Sequence, residues 1–172
     1  MLSVIVPTYN YAQVLPRALD SVLVQQAADV ELIVVDDGSS DHTGEVLSEY
    51  VARHPRLQVI RQANAGAAAA RNRGIREARG TYALLLDADD ELMPNALANL
   101  RAVLASNPGV GMILGAHLAV HPDGRERLLT PAAMPRATAL QLARRYLLDK
   151  RVSIAHGCSL FRRDLLLQRP YP

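Results

Sequence analysis

The chain has 172 residues, 49% hydrophobic and 21% charged, which fits one hydrophobic core and is too apolar for a disordered segment. Nineteen Lys and Arg against seventeen Asp and Glu leave a formal charge of +2, and with 4% aromatics and no Trp there is neither the basic stripe nor the stacking surface of a nucleic-acid binder. The single Cys158 excludes an internal disulfide and any multi-cysteine metal site.

No apolar run reaches the roughly eighteen residues that a membrane span requires, and LSVIVP follows Met1 without a charged leader. The reading therefore expects no secretory signal and a cytoplasmic chain, with any association at the inner face of a membrane left to regions outside this sequence.

Short β-branched runs alternate with longer amphipathic ones, the pattern of an α/β fold whose mostly parallel central sheet carries helices on both faces. Residues 2–7 (LSVIVP) predict a strand, and Tyr11 to Gln25 a helix with Val14, Leu15, Ala18, Leu19, Val22 and Leu23 at helical spacing and Pro16 near its start. Residues 30–35 (VELIVV) predict the second strand. The turn and capping residues Asp36 to Asp41 then precede a helix over about residues 42–52.

LQVIRQ (57–62) predicts a third strand, and the Ala- and Arg-rich stretch from Gly66 to Arg79 a helix closed by Gly80. TYALLLD (81–87) is apolar enough to be buried on both faces, and Pro94 opens a helix reaching about Ser106. Beyond it, residues 110–120 and 125–129, joined by HPDG, predict a hairpin. Thr138 to Leu148 reads as a helix, and residues 152–161 as a last strand.

Ligands of open parallel sheets bind beyond the carboxyl ends of the strands. Three predicted strands end there in polar groups: Pro7-Thr8-Tyr9-Asn10, Asp36-Asp37 and Asp87-Ala88-Asp89. Each alone is an ordinary loop sequence, but their shared edge points to a site. Asp87 and Asp89, one small residue apart, suit a hard cation such as Mg²⁺ or Mn²⁺ that completes its shell with substrate phosphates, which implies a nucleoside diphosphate ligand. His42, His54, His117 and His121 have no ligand spacing and read as loop or surface residues.

Together, VIVPTYN (4–10), VVDDGSSDHT (34–43), NAGAAAARNRGI (64–75) and LLLDADD (84–90) resemble the family 2 glycosyltransferases, enzymes of the GT-A (Rossmann-like) fold that use nucleotide-sugar donors. The resemblance is clear over residues 2–106 and weaker through HGCSLFRRDLL (156–166). It implies one GT-A domain over residues 1–172, with a nucleotide-binding half at 1–106 and the start of an acceptor-side half at 107–172.

Carried onto this sequence, the resemblance implies that Pro7, Thr8 and Tyr9 line the nucleotide pocket. Asp37, supported by Asp36, would bind the imide N–H of a uracil or thymine base. Asn64, Gly66 and Arg71 would lie against the base and diphosphate. Asp87 and Ala88 would approach the ribose and sugar, Asp89 would ligate the metal, and His156 would touch the sugar. The implied reaction is a metal-dependent inverting transfer from a UDP or dTDP donor to a glycan, lipid-linked or protein acceptor.

Such a transfer needs a general base for the acceptor hydroxyl. The family's acidic pair has no counterpart after residue 130, and Asp149 and Asp164 lie in helix-like contexts, so the base is unassigned and expected beyond Pro172 in a longer chain. A non-catalytic nucleotide-sugar-binding domain is the alternative. A sugar-phosphate nucleotidyltransferase or a dinucleotide-binding domain would carry a Gly-rich loop after the first strand, where this chain has PTYN.

Overall fold

The computed structural model describes residues 1–130 and 158–172. Four strands, β1 (Leu2–Thr8), β2 (Val30–Asp36), β3 (Leu57–Arg61) and β4 (Tyr82–Leu85), lie parallel in the order β3-β2-β1-β4. The sheet is completed by β5 (Met112–Leu114) at its far edge and β8 (Ser159–Arg162), which runs antiparallel between β4 and β5. Between them in sequence, β6 (His117–Val120) and β7 (Glu126–Leu129) form a separate two-stranded sheet.

Every residue of β1 is buried, because alternate side chains enter two different cores. Val4 and Val6, with Leu32, Val34, Leu84 and Leu86, pack beneath α1 (Leu15–Leu23), α2 (Thr43–Arg53) and α4 (Ala96–Ser106). Ile5, Ile33, Val35 and Leu85 meet Ala70 and Ile75 of α3 (Ala67–Glu77), with Leu166 of α5 (Arg163–Gln168) and Tyr171 at the margin. Each fully buried aliphatic side chain here contributes about 1.5–3 kcal/mol relative to exposure. The result is the expected α/β architecture, a six-stranded, mostly parallel sheet with helices on both faces.

Local departures from the sequence reading have physical causes. The first helix begins at Leu15, with Pro16 at its start where a missing N–H costs nothing. The fourth begins after Pro94, with Asn95 in the left-handed region at φ 64°. Gly80 does not close α3, which ends at Glu77. It is small because a Cβ there would overlap Ser3 Oγ and lie 2.7 Å from Ser3 N.

The stretch 110–120 is not one arm of a hairpin: β5 joins the main sheet, the chain leaves it at Gly115, and only β6 pairs with β7. A Cβ at Gly115 would overlap the Cys158 carbonyl, so the crossing needs glycine. The last strand spans Ser159–Arg162, ending one residue later than expected. Residues 152–157 and the helix expected over 138–148 lie outside the described residues. Among the described residues, no helix is long and apolar enough to cross a membrane.

Candidate functional site

Parallel pairing brings the carboxyl ends of β1, β2 and β4 to one edge, where a cleft of about 510 Å³ opens. It is lined by residues of the segments following those strands and by the start of α3, among them Thr8, Asp37, Gly66, Arg71 and Asp89. This volume falls within the range of small-molecule sites.

The first wall is held by Asn10, in the left-handed region at φ 56°. Its side-chain carbonyl accepts the Ser40 N–H at 2.8 Å, while its own N–H donates to Ser39 Oγ at 2.9 Å. Asp41 accepts hydrogen bonds from the Ala12 N–H and from the Thr43 hydroxyl. Desolvation pushes the Asp41 carboxyl upward, but these hydrogen bonds outweigh it and hold the group below its ordinary value. The segments after β1 and β2 are thereby tied together, leaving Tyr9 and Tyr11 exposed at the rim.

At the end of β2 the two aspartates divide their work. Asp36 is 1% exposed and accepts the Ser39 N–H at 2.9 Å, with Arg61 Nε at 3.5 Å from its other oxygen. It holds the turn. Asp37, also buried, accepts Gln62 Nε2 at 2.7 Å and the N–H groups of Ala65 at 3.0 Å and Gly66 at 2.7 Å. Three donors fix it as an acceptor at the cleft, with one lone pair, on Oδ2, left for a ligand N–H.

Opposite stands the Asp87-Ala88-Asp89-Asp90 turn, closed by the Asp90 N–H on the Asp87 carbonyl at 3.0 Å. Ala88 is buried, Asp89 and Asp90 are exposed, and Asp87 accepts Arg71 Nη2 at 2.6 Å. Desolvation, then the charges of Asp89 and Asp87, push the Asp90 carboxyl above its ordinary value, opposed by His117. This crowding of negative charge is what a divalent cation relieves. No group of three or more His, Cys, Asp or Glu among the described residues is placed to hold a metal ion. Asp89 and Asp90 present exposed carboxylates on this turn, the oxygen donors that a divalent cation takes in small number when phosphate oxygens complete its shell.

Two residues that line this cleft, Thr8 and Arg71, each hold a buried polar atom, Oγ1 and Nε, with no hydrogen-bond partner among the described residues. Buried polar groups are rarely left so.

The structure thus gathers Pro7, Thr8, Tyr9, Asp37, Asn64, Gly66, Arg71, Asp87, Ala88 and Asp89 around one cleft, with Asp36 behind them. His156 lies outside the described residues. His117 is not a loop residue: it begins β6 with Nδ1 3.6 Å from Cys158 Sγ. The Cys158 thiol is pushed up by burial and by Asp90, the opposite of an activated nucleophile. Sequence reading missed Gln62, Ala65, Ala67 and Ala70; the last two lie on the helix face that the Ala run alone could not orient.

Comparison with known proteins bears on the family and the fold. EpsJ of Bacillus subtilis (strain 168), described as an uncharacterized glycosyltransferase, is 46% identical over 90 residues, 52% of this chain and 26% of that protein. The crystal structure of Staphylococcus aureus TarS 1-349 in complex with UDP-GlcNAc superposes with a TM-score of 0.78 at 28% identity, covering 99% of this chain and 48% of that one. The mannosyltransferase PcManGT of Pyrobaculum calidifontis, in complex with GDP-Man and Mn²⁺, gives 0.72 at 26% identity, covering 99% and 47%. The chain thus spans about half the length of these solved neighbours. The sequence profile of Glycosyl transferase family 2 matches residues 3–169, and the chain belongs to that family.

Proposed function

We propose that the chain is the donor-binding part of a metal-dependent inverting glycosyltransferase that uses a UDP or dTDP sugar. The observation that carries the reading is the pairing, across one cleft, of the buried acceptor Asp37 with the Arg71-Asp87-Ala88-Asp89 wall. Asp37 takes the imide N–H of the base, on the side-chain frame that Asp36 braces. Pro7, Thr8 and Tyr9 flank the ring, and Asn64 and Gly66 border it. The diphosphate lies between Arg71 and the start of α3, whose first N–H groups have no partner within the helix and favour an anion. Asp87 approaches the ribose and sugar, and Asp89 holds Mn²⁺ or Mg²⁺.

The bound cation supplies Lewis-acid stabilisation of the departing diphosphate. Arg71 adds a fixed positive charge at the same place, and its ion pair with Asp87 orients it before the donor arrives. The acceptor oxygen bonds to the anomeric carbon as the carbon–phosphate-oxygen bond breaks. Its proton goes to a general base, which no residue described above is assigned to be. In this reading residues 1–106 form the nucleotide half and 107–172 the start of the acceptor side, with a glycan, lipid-linked or protein acceptor and a cytoplasmic location.

Calorimetric titration with UDP, dTDP and GDP, each with and without Mn²⁺, tests this on the wild-type chain and on Asp37→Ala and Asp89→Ala. The expected result is manganese-dependent binding of UDP or dTDP that both substitutions abolish. Preference for GDP overturns the base assignment, and absence of any binding by the folded chain overturns the donor site. A longer chain that binds donor without transferring sugar makes this a binding domain instead.

A further inference from the structure

The segment from α5 to the end of the chain lies along α3 and is fastened to it at two points. Near one end, Arg163 donates from Nε to the Ile75 carbonyl at 2.7 Å and from Nη2 to the Arg76 carbonyl at 2.9 Å, capping the last turn of α3. At the other, Asn72 makes two reciprocal bonds with the main chain of one residue. Its Nδ2 donates to the Tyr171 carbonyl at 2.9 Å, and its Oδ1 accepts the Tyr171 N–H at 2.9 Å.

This double clip fixes the backbone of Tyr171 against the residue next to Arg71. The Tyr171 ring is half-buried at the margin of the core that α3 shares with the sheet and faces the Arg71 guanidinium, whose Cζ is 6.0 Å from the ring centroid. Arg71 is therefore restrained by the carboxylate of Asp87 at 2.6 Å and by an aromatic face. Its side chain is only 20% exposed, and its Nε is buried without a partner among the described residues. An arginine has several rotatable bonds, and holding it ready costs rotamer entropy unless its surroundings do so in advance.

We infer that Tyr171, clipped by Asn72, is a positioning residue that holds the Arg71 guanidinium for the anionic part of the ligand. The inference deepens the nucleotide reading of this cleft and rests on it only for the identity of that ligand. The ring limits the rotamers open to Arg71, and the Asn72 clip limits the movement of the ring. Neither residue lines the cleft itself.

The test separates the ring from the clip and the clamp from the ligand. Tyr171→Leu removes the aromatic face and keeps both main-chain bonds; Asn72→Ala removes the bonds and keeps the ring; Tyr171→Phe keeps both. Exchange of the Arg71 Nε–H with solvent, followed by ¹⁵N–¹H NMR on the folded chain, reads the restraint directly. Calorimetry with UDP and Mn²⁺ reads its consequence.

The expected result is faster Arg71 exchange and about tenfold weaker UDP binding in Tyr171→Leu and in Asn72→Ala, with Tyr171→Phe, which retains the ring, closer to wild type than Tyr171→Leu. Unchanged Arg71 exchange in folded Tyr171→Leu overturns the clamp, whatever happens to affinity. A wild-type chain that binds no nucleotide while Arg71 exchange responds as expected overturns the nucleotide reading and leaves the clamp standing.

Discussion

Arg71 and Asp87, sixteen residues apart in sequence, meet across the cleft at 2.6 Å because α3 and the end of β4 lie side by side at the same edge of the sheet. The pair joins the helix that faces the diphosphate in the proposed complex to the turn that carries the carboxylates. Its members are partly shielded from water, with side-chain exposures of 20% and 35%, so each depends on the other more than a surface pair does.

Removing either member separates charge from position. Arg71→Ala is expected to weaken UDP binding by roughly ten- to a hundredfold, the cost of a charge-assisted contact to phosphate. Asp87→Asn keeps the size of the side chain and frees the guanidinium, and a smaller loss of affinity with an altered manganese dependence is expected. Calorimetry on both variants, at matched ionic strength, checks the order.

Asp89 is exposed and makes no side-chain hydrogen bond or ion pair among the described residues, so Asp89→Ala is expected to leave stability within about 0.5 kcal/mol of wild type. The same substitution is expected to abolish the manganese dependence of nucleotide binding, and chelation of the metal from the wild-type chain to reproduce that loss. Thermal unfolding without metal, set beside titration with it, separates the two effects.

Gly74 packs face to face on β1. A Cβ there would overlap Ile5 Cγ2 and stand 3.3 Å from Val35 Cγ2, in the core that α3 shares with the sheet. Gly74→Ala would gain helix propensity, but the steric conflict dominates, and a net destabilisation of about 1–3 kcal/mol is expected in urea unfolding. Displacement of α3 would also shift Arg71, so nucleotide affinity is expected to fall with stability.

Tyr50 donates its hydroxyl to Asp20 Oδ1 at 2.8 Å, linking α2 to α1. Burial, followed by the Asp20 hydrogen bond and charge, pushes its phenol from 10.0 up to about 12. A raised value means that the folded state holds the proton more tightly. The associated stability is therefore complete below pH 10 and is lost as the pH rises toward 12. Phenolate absorbance is expected to show a tyrosine titrating late, and Tyr50→Phe to flatten the fall in stability over that window.

The order of strands and helices and the three polar strand ends were legible in the sequence, since both follow from patterns within some ten residues. Alternation of apolar runs marks buried strands, and aspartates with glycine mark the turns after them. The motifs at residues 4–10, 34–43, 64–75 and 84–90 added the family, and the profile over residues 3–169 agrees. Less was legible after residue 106, where one apolar run, 110–120, contains two strands of different sheets.

What local pattern could not contain is pairing between distant residues. Nothing near Asp37 shows that Gln62, Ala65 and Gly66 would fix its carboxylate, and nothing near Asn72 shows that it would clip Tyr171, 99 residues later. Gly80 is an ordinary helix terminator by its neighbours and a contact with Ser3 by its fold. Secondary structure and turn chemistry reside in short-range sterics and hydrogen bonding, so the sequence alone determined the elements and the types of group at their ends. The direction each group faces depends on parallel pairing that brings β1, β2, β4 and α3 to one edge, and only the tertiary structure decided which of them share a cleft.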